Sequence, residues 1–221
     1  MSKLTWDGTG EKKYENGISH GVLYKLTGTG ANAKWSGVAW NGLTSVSESP
    51  EGGDPNDLYA DNIKYATLRG AETFGGTIEA YTYPDEFESC DGSATPDGAE
   101  GLVVHQQTRE MFRMSYRTEE GNDNMGSATN LYKIHVVYGA TCSPSERSYE
   151  TINDSPDAIT FSWEFDTTPV NVTGLKPTSL ITIDASKLSA AQLAAVEDAL
   201  YGTQSSDPYC PDPDDLIALI A

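Results

Sequence analysis

The chain has 221 residues, 33 of them acidic against 14 Lys and Arg, a formal charge of −19. That balance argues against a nucleic-acid-binding patch, which needs clustered bases, and against docking on an anionic membrane. Hydrophobic residues at 38%, with 21 Gly and 11 Pro, describe a folded chain of short strands and turns rather than a helical bundle.

Three widely spaced cysteines, Cys90, Cys142 and Cys210, form neither a disulfide framework nor a zinc-site spacing. The start, MSKLTWDGTGEKKYENG, lacks the apolar stretch of a signal peptide, and no run of 18 apolar residues occurs. The expectation is folding in a reducing cytoplasm, with free thiols and no transmembrane helix.

In chain order, residues 1–20 read as a polar lead-in with a turn at Asn16-Gly17, then a short strand at Val22-Leu23-Tyr24 and a flexible loop, TGTGANAK. Val38-Ala39-Trp40 runs into Asn41-Gly42, a dipeptide suited to a type I′ hairpin turn. LTSVSES alternates weakly, pairing Leu43 with Ser45 and Thr44 with Val46, and LYADNIKYATLRG fits either a strand pair or a bent helix. GGTIEAYTYP places Ile78, Ala80 and Thr82 on one side and Glu79, Tyr81 and Tyr83 on the other.

After an acidic loop, 85–101, residues 102–118 read as one bent strand or two. LYKIHVVYG alternates, with Tyr132, Ile134, Val136 and Tyr138 opposite Lys133, His135 and Val137. Residues 143–154 read as a short helix or turn. TFSWEF then gives the cleanest period-two pattern: Phe161, Trp163 and Phe165 face one way, and Ser162, Glu164 and Asp166 the other. Ser189 and Gln192 make a capping box with Leu188 and Leu193 as a staple, predicting a helix over 190–201 that ends at Gly202. The tail, 203–221, is interrupted by prolines and ends in six apolar residues, so it should dock on something. The fold class is mainly β, with this one flanking helix. One domain spans 1–202 and a C-terminal arm 203–221.

For chemistry, Glu164 and Asp166 lie two apart on one strand face, about 6–7 Å from each other, a spacing open to glycosidase carboxylates. Acidic pairs are common in so acidic a chain, however, and a catalytic pair normally comes from different elements with one member buried. No nucleophile elbow, dinucleotide fingerprint or Walker lysine occurs, and no cofactor is expected. The three His read as structural or exposed. Asp54-Pro-Asn-Asp57 and Asp212-Pro-Asp214-Asp215 read as solvated turns, since neither follows the twelve-residue calcium loop. A secreted carbohydrate-binding β-sandwich, stacking sugars on Tyr81, Tyr83 and Trp163, is the alternative.

Several segments, taken in order, resemble the major tail tube proteins of long-tailed, non-contractile phages of Gram-positive bacteria. They are WDGTGEKKYENGISHGVLY, GVAWNGLTSVSESPEG, LYADNIKYATLRGAETFGGTIEAYTYPDEF, SYRTEEGND, YKIHVVYGATCSPSERSYETINDSPDAITFSWEFDTTPV and LKPTSLITIDASKLSAAQLAAVEDALYG. The likeness covers about residues 6–202. It is thinnest in the loops 27–36, 85–101 and 119–130, at Arg113, where a smaller residue is expected, and in 203–221.

The resemblance implies a β-sandwich or barrel-like structural protein of the virion, not an enzyme. It would assemble in the host cytoplasm into hexameric rings stacked as a hollow tube. Its partners would be further copies of itself, the tape measure, tail terminator and distal tail proteins, with DNA passing through the bore unbound and no membrane partner. A long early loop, assigned here to about 25–50, would knit ring to ring, aided by the N-terminal arm and 203–221. Glu79, Glu164 and Asp166 are the candidate acidic residues facing the bore or a neighbouring subunit.

Overall fold

The computed structural model describes residues 4–99, 101–123, 131–149, 151–152 and 157–221. The chain is mainly β. Its strands are β1 (Lys13–Thr27), β2 (Lys34–Ala39), β3 (Leu43–Gly52), β4 (Asn56–Ala60), β5 (Ile63–Leu68), β6 (Glu72–Ala80), β7 (Ser93–Ala94), β8 (Val104–His105), β9 (Phe112–Asn122), β10 (Tyr132–Cys142), β11 (Phe161–Thr167) and β12 (Leu180–Asp184). The helices are α1 (Glu88–Asp91), α2 (Ala190–Tyr201) and α3 (Pro213–Ile220).

One antiparallel sheet runs β2-β1-β9-β10-β11-β6-β3, with β12 also on β10. Strand β10 divides its length between two neighbours. Lys133–Val137 pair with β12, and Ala140–Cys142 pair with β11. Between them lies Gly139 at φ +63, where a Cβ would collide with the Thr168 carbonyl. Only glycine fits a positive φ at so close an approach. This break lets the sheet curl over, so that β11, β6 and β3 pack across the other strands.

The curl creates two cores. Between the halves lie Leu23, Trp40, Ile78, Phe112, Met114, Trp163 and their neighbours. On the other side of β1 and β10, Tyr24, Ile134, Val136 and Tyr138 pack against Val196 and Leu200 of α2 and Leu216 of α3. Alternation along a strand does the sorting: Val22 and Tyr24 enter the second core and Leu23 the first. The side of β10 holding Lys133, His135 and Val137 reads as the more polar one in sequence. Yet His135 and Val137 are buried, because β10 is covered on both faces.

The curled sheet is closed by a polar cluster. The Tyr116 hydroxyl on β9 donates to Glu48 of β3. His135 stacks on the Tyr116 ring at 4.8 Å and lies 3.4 Å from Glu48, while its Nε2 is 3.0 Å from the Thr118 hydroxyl. Glu48 therefore ties the sheet's last strand back to its middle.

Helix α2 spans the predicted residues. The Gln192 amide donates to the Ser189 hydroxyl at 3.4 Å, and the Gln192 side chain accepts from the Ser189 amide at 3.0 Å. Three expectations are corrected. The N-terminal lead-in is strand from Lys13, with Gly17 at φ +68 beside a bulge. Asn41-Gly42 is not a type I′ hairpin: only Gly42 has positive φ, and the turn is a corner between β2, paired with β1, and β3, paired with β6. A bulge after Leu43 shifts the phase of β3, so Leu43 and Val46 both face the core. The tail 203–221, expected to dock, does so on the chain itself, with α3 packing Leu216 into the second core. The reading of 143–154 falls partly on residues outside those described.

The pattern of TFSWEF survives in three dimensions. Trp163 is 1% exposed, among Trp40, Tyr83, Phe87 and Phe161. Trp163→Ala should destabilise the protein by about 3–5 kcal/mol in urea unfolding. A second expectation concerns pH. Burial holds the His135 imidazole below its ordinary range, against the pull of Glu48 and Glu15. The unfolded chain therefore takes up a proton first as pH falls, so stability complete above about pH 6.5 is lost below it, by at most about 1.4 kcal/mol per pH unit. The measured slope of stability between pH 5 and 6.5 should flatten in His135→Asn.

Candidate functional site

The period-two rule that sends Trp163 inward sends Ser162, Glu164 and Asp166 outward, and pairing decides what stands beside them. Ser162 lies opposite Glu79, Glu164 opposite Thr77, and Asp166 opposite Gly75. On the far side of β6, Ser45, Ser47, Ser49 and Glu51 lie opposite Glu79, Thr77, Gly75 and Thr73. The outer face of β3, β6 and β11 thus unites all three predicted acidic residues and adds Glu51. Its remaining outward positions on these strands are Ser, Thr and Gly, and none is Lys or Arg.

Neighbouring strands lie about 4.8 Å apart and alternate residues about 6.6–7 Å apart along a strand, so these carboxylates share one continuous wall. Glu79 is half-buried and its Oε2 accepts from the Ser45 hydroxyl at 2.8 Å. Glu164 and Asp166 are exposed, and a shallow hollow between them and β3 is lined by Ser49, Glu51, Thr73 and Ser143. The Glu164 amide donates to Ser145 at 3.0 Å, which fixes the strand edge rather than the carboxylate.

Small residues make the wall flat. On the core side of the same strand, a Cβ on Gly76 would collide with the Ser47 carbonyl and lie 2.9 Å from the Phe165 ring. One on Gly75 would stand 2.8 Å from the Phe165 carbonyl. Gly75-Gly76 therefore seats β6 tightly between β3 and β11. The Ser45, Ser47, Ser49 alternation was the signal for β3's part in the face, obscured in sequence by the bulge after Leu43.

Two rival arrangements do not form. A sugar platform of Tyr81, Tyr83 and Trp163 is broken up: Trp163 is in the core, and Tyr83 packs edge-on against Phe161 and Trp163 at 5.6 and 5.4 Å. The strand ends at Ala80, so Tyr83 turns inward and Tyr81 alone is exposed. The Glu164/Asp166 pair likewise has its aromatics on the opposite side of the strand, and both acids are exposed. Elsewhere, Asp57 pairs with Lys64 at 2.7 Å, Asp212 pairs with Arg113, and Asp214 accepts from the Thr173 amide. The three thiols are buried, and burial pushes Cys90 up to about 11 and Cys210 to about 12.

A second surface feature is an arm between β3 and β6. The β3–β6 ladder ends at Gly52 and Glu72, and β4 and β5 continue as a separate two-stranded hairpin. Its turn, Asp61-Asn62, has positive φ at both residues, the type I′ geometry. At its neck, Gly53 and Gly70 approach so closely that a Cβ on either would stand 3.0 Å from the other's Cα. Leu58, Tyr59, Ile63, Tyr65 and Leu68 are exposed, Tyr59 at 70% and Tyr65 at 75%. By contrast the segment 25–50, read as the stacking loop, consists largely of strands. Its TGTGANAK portion folds into a tight 3-10 turn, where Thr27 donates to the Lys34 carbonyl at 3.1 Å.

Because Glu164 and Asp166 are outward and unburied, Glu164→Gln with Asp166→Asn should change unfolding free energy by less than about 1 kcal/mol in total, read from urea midpoints. The chain matches no protein-family model and none of the curated proteins, so its function has to be read from these surfaces.

Proposed function

We propose that the chain is the tube subunit of a long-tailed, non-contractile phage tail, stacking as hexameric rings with the face of β3, β6 and β11 lining the bore. The observation that carries this reading is the composition of that face: Glu51, Glu79, Glu164 and Asp166 among Ser, Thr and Gly, without a base. DNA presents one phosphate charge per about 1.7 Å, and each Lys or Arg contact adds affinity. A wall through which DNA must slide therefore has to repel phosphate and offer no apolar or basic foothold. The short hydroxyl side chains keep it wetted and smooth.

The arm supports the same reading. A two-stranded hairpin is marginally stable alone, and exposed apolar patches mark contact sites. Residues 53–71 therefore replace 25–50 as the joint between rings. On this reading the chain resides in the virion tail, touching the tape measure, tail terminator and distal tail proteins.

Negative-stain microscopy of the full chain over a concentration series should reveal six-fold rings or tubes. Tyr59→Ser with Tyr65→Ser should keep the fold, within about 1 kcal/mol of the parent, yet abolish tubes. A chain that stays monomeric at every concentration would overturn the assignment, and normal tubes from the double variant would overturn the role of the arm.

A further inference from the structure

The main path of the eight-stranded sheet ends at β2 and β3, β12 pairs with β10 alone among the described residues, and an edge strand is exposed to pairing with another chain. At β2 the open row of backbone groups is filled by the protein's own tail. Ser36 forms an antiparallel bridge with Tyr209. The Gly37 amide donates to the Pro208 carbonyl at 2.9 Å, and the Cys210 amide to the Trp35 carbonyl at 3.0 Å. At β3, no comparable cover lies along the edge among the described residues.

The covering residues are fastened from behind. The Tyr209 amide donates to the Ala199 carbonyl in the last turn of α2 at 2.7 Å. Arg113, buried on β9, donates through Nη1 to the Cys210 carbonyl at 3.3 Å and through Nη2 to Asp212 at 2.6 Å. Its guanidinium also lies 4.3 Å from the Trp35 ring. One side chain thus holds the tail by its backbone and its carboxylate while stacking on the strand that the tail covers.

The covering residues also cannot pass the edge onward. Pro208 and Pro211 bracket Tyr209 and Cys210, and neither has an amide proton to offer a further strand. Before them, Thr203–Asp207 is exposed, and its Thr203 and Ser205 amides bond only to Ser206 and Thr203.

We infer that residues 208–212 are a self-supplied edge strand, pinned by Arg113, that ends the sheet at β2 and closes that edge to strand addition by a second copy. This holds whether or not the chain builds tubes. Asp212 is 66% exposed in its side chain, so removing Arg113 strands no buried charge. The consequence of its loss is local: the tail lifts, and the amide of Gly37 and the carbonyl of Trp35 become free to pair with another copy.

Hydrogen exchange on the full-length Arg113→Met variant tests this directly. The Gly37 and Cys210 amides should exchange at least tenfold faster than in the parent, while Ile134 and Val136 on β10 change less than threefold. Light scattering should then detect self-association that the parent lacks under the same conditions. Equal acceleration at all four amides, with Asp212→Ala also failing to open Gly37 and Cys210 selectively, would overturn the pin. Selective opening without self-association would overturn the edge-closing role.

Discussion

Everything in this protein hangs on β10 being covered on both faces. A strand in an open antiparallel sheet normally keeps one side for water. Here Ile134, Val136 and Tyr138 serve the core under the helices, while Val137, Ala140 and Cys142 serve the core between the two halves of the sheet. The arrangement requires β10 to release β12 and take up β11 within a few residues, and Gly139 at φ +63 supplies the break. Once the sheet has curled, the outer side of β11, β6 and β3 is set apart from both cores. It is the only side of those strands that needs no apolar residues, which is why acids and hydroxyls can gather there without loss of stability.

The same constraint explains what could be read in the sequence and what could not. TFSWEF was legible because β11 meets a core on one face only, so its alternation reports burial directly. Helix α2 was legible because its capping box is a local device. LYKIHVVYG was half legible: its apolar face was plain, but the burial of His135 depends on Glu48, Tyr116 and Thr118 arriving from other strands. The bulge after Leu43 hid the serine ladder of β3, since one inserted residue moves every later side chain to the opposite face. Asn41-Gly42 misled because a dipeptide suited to a hairpin turn says nothing about which strands its neighbours will join. The site residues Glu79, Glu164 and Asp166 could be assigned to outward faces, but their meeting on one wall follows from the β6–β11 register, which no local pattern encodes.

The glycines divide the labour in a way composition alone conceals. Gly75 and Gly76 give up side chains so that β3 and β11 can close on β6, which keeps the wall level. Gly53 and Gly70 give them up so that the two legs of the arm can touch at its neck. Of the first pair, Gly75 faces the acidic wall and Gly76 the core, and the second pair lies at the base of a projection with exposed apolar residues. Leu58, Tyr59, Tyr65 and Leu68 stand exposed on the hairpin, while Glu51, Glu79, Glu164 and Asp166 share a face that carries no apolar side chain.

On the proposed reading, that separation bears on how a subunit with charge −19 would assemble. Like charges on stacked copies repel, and the repulsion is screened beyond about 8–10 Å at physiological salt. Contacts must therefore come from short-range terms: apolar burial through the arm, and backbone pairing at a sheet edge. Two sticky edges on one sheet would permit pairing in several orientations, including open-ended stacks of no fixed geometry. With β2 closed by the residues around Tyr209, as we infer, β3 is the open end of the sheet's main path, and β3 is also the strand that carries the arm and one margin of the acidic wall. Adhesive arm, open edge and repelling face are thus fixed to one another through a single strand, so any partner that engages the edge is oriented with respect to the wall. The tie from Glu48 to Tyr116 and His135 holds that strand to the body of the sheet, and so holds the orientation.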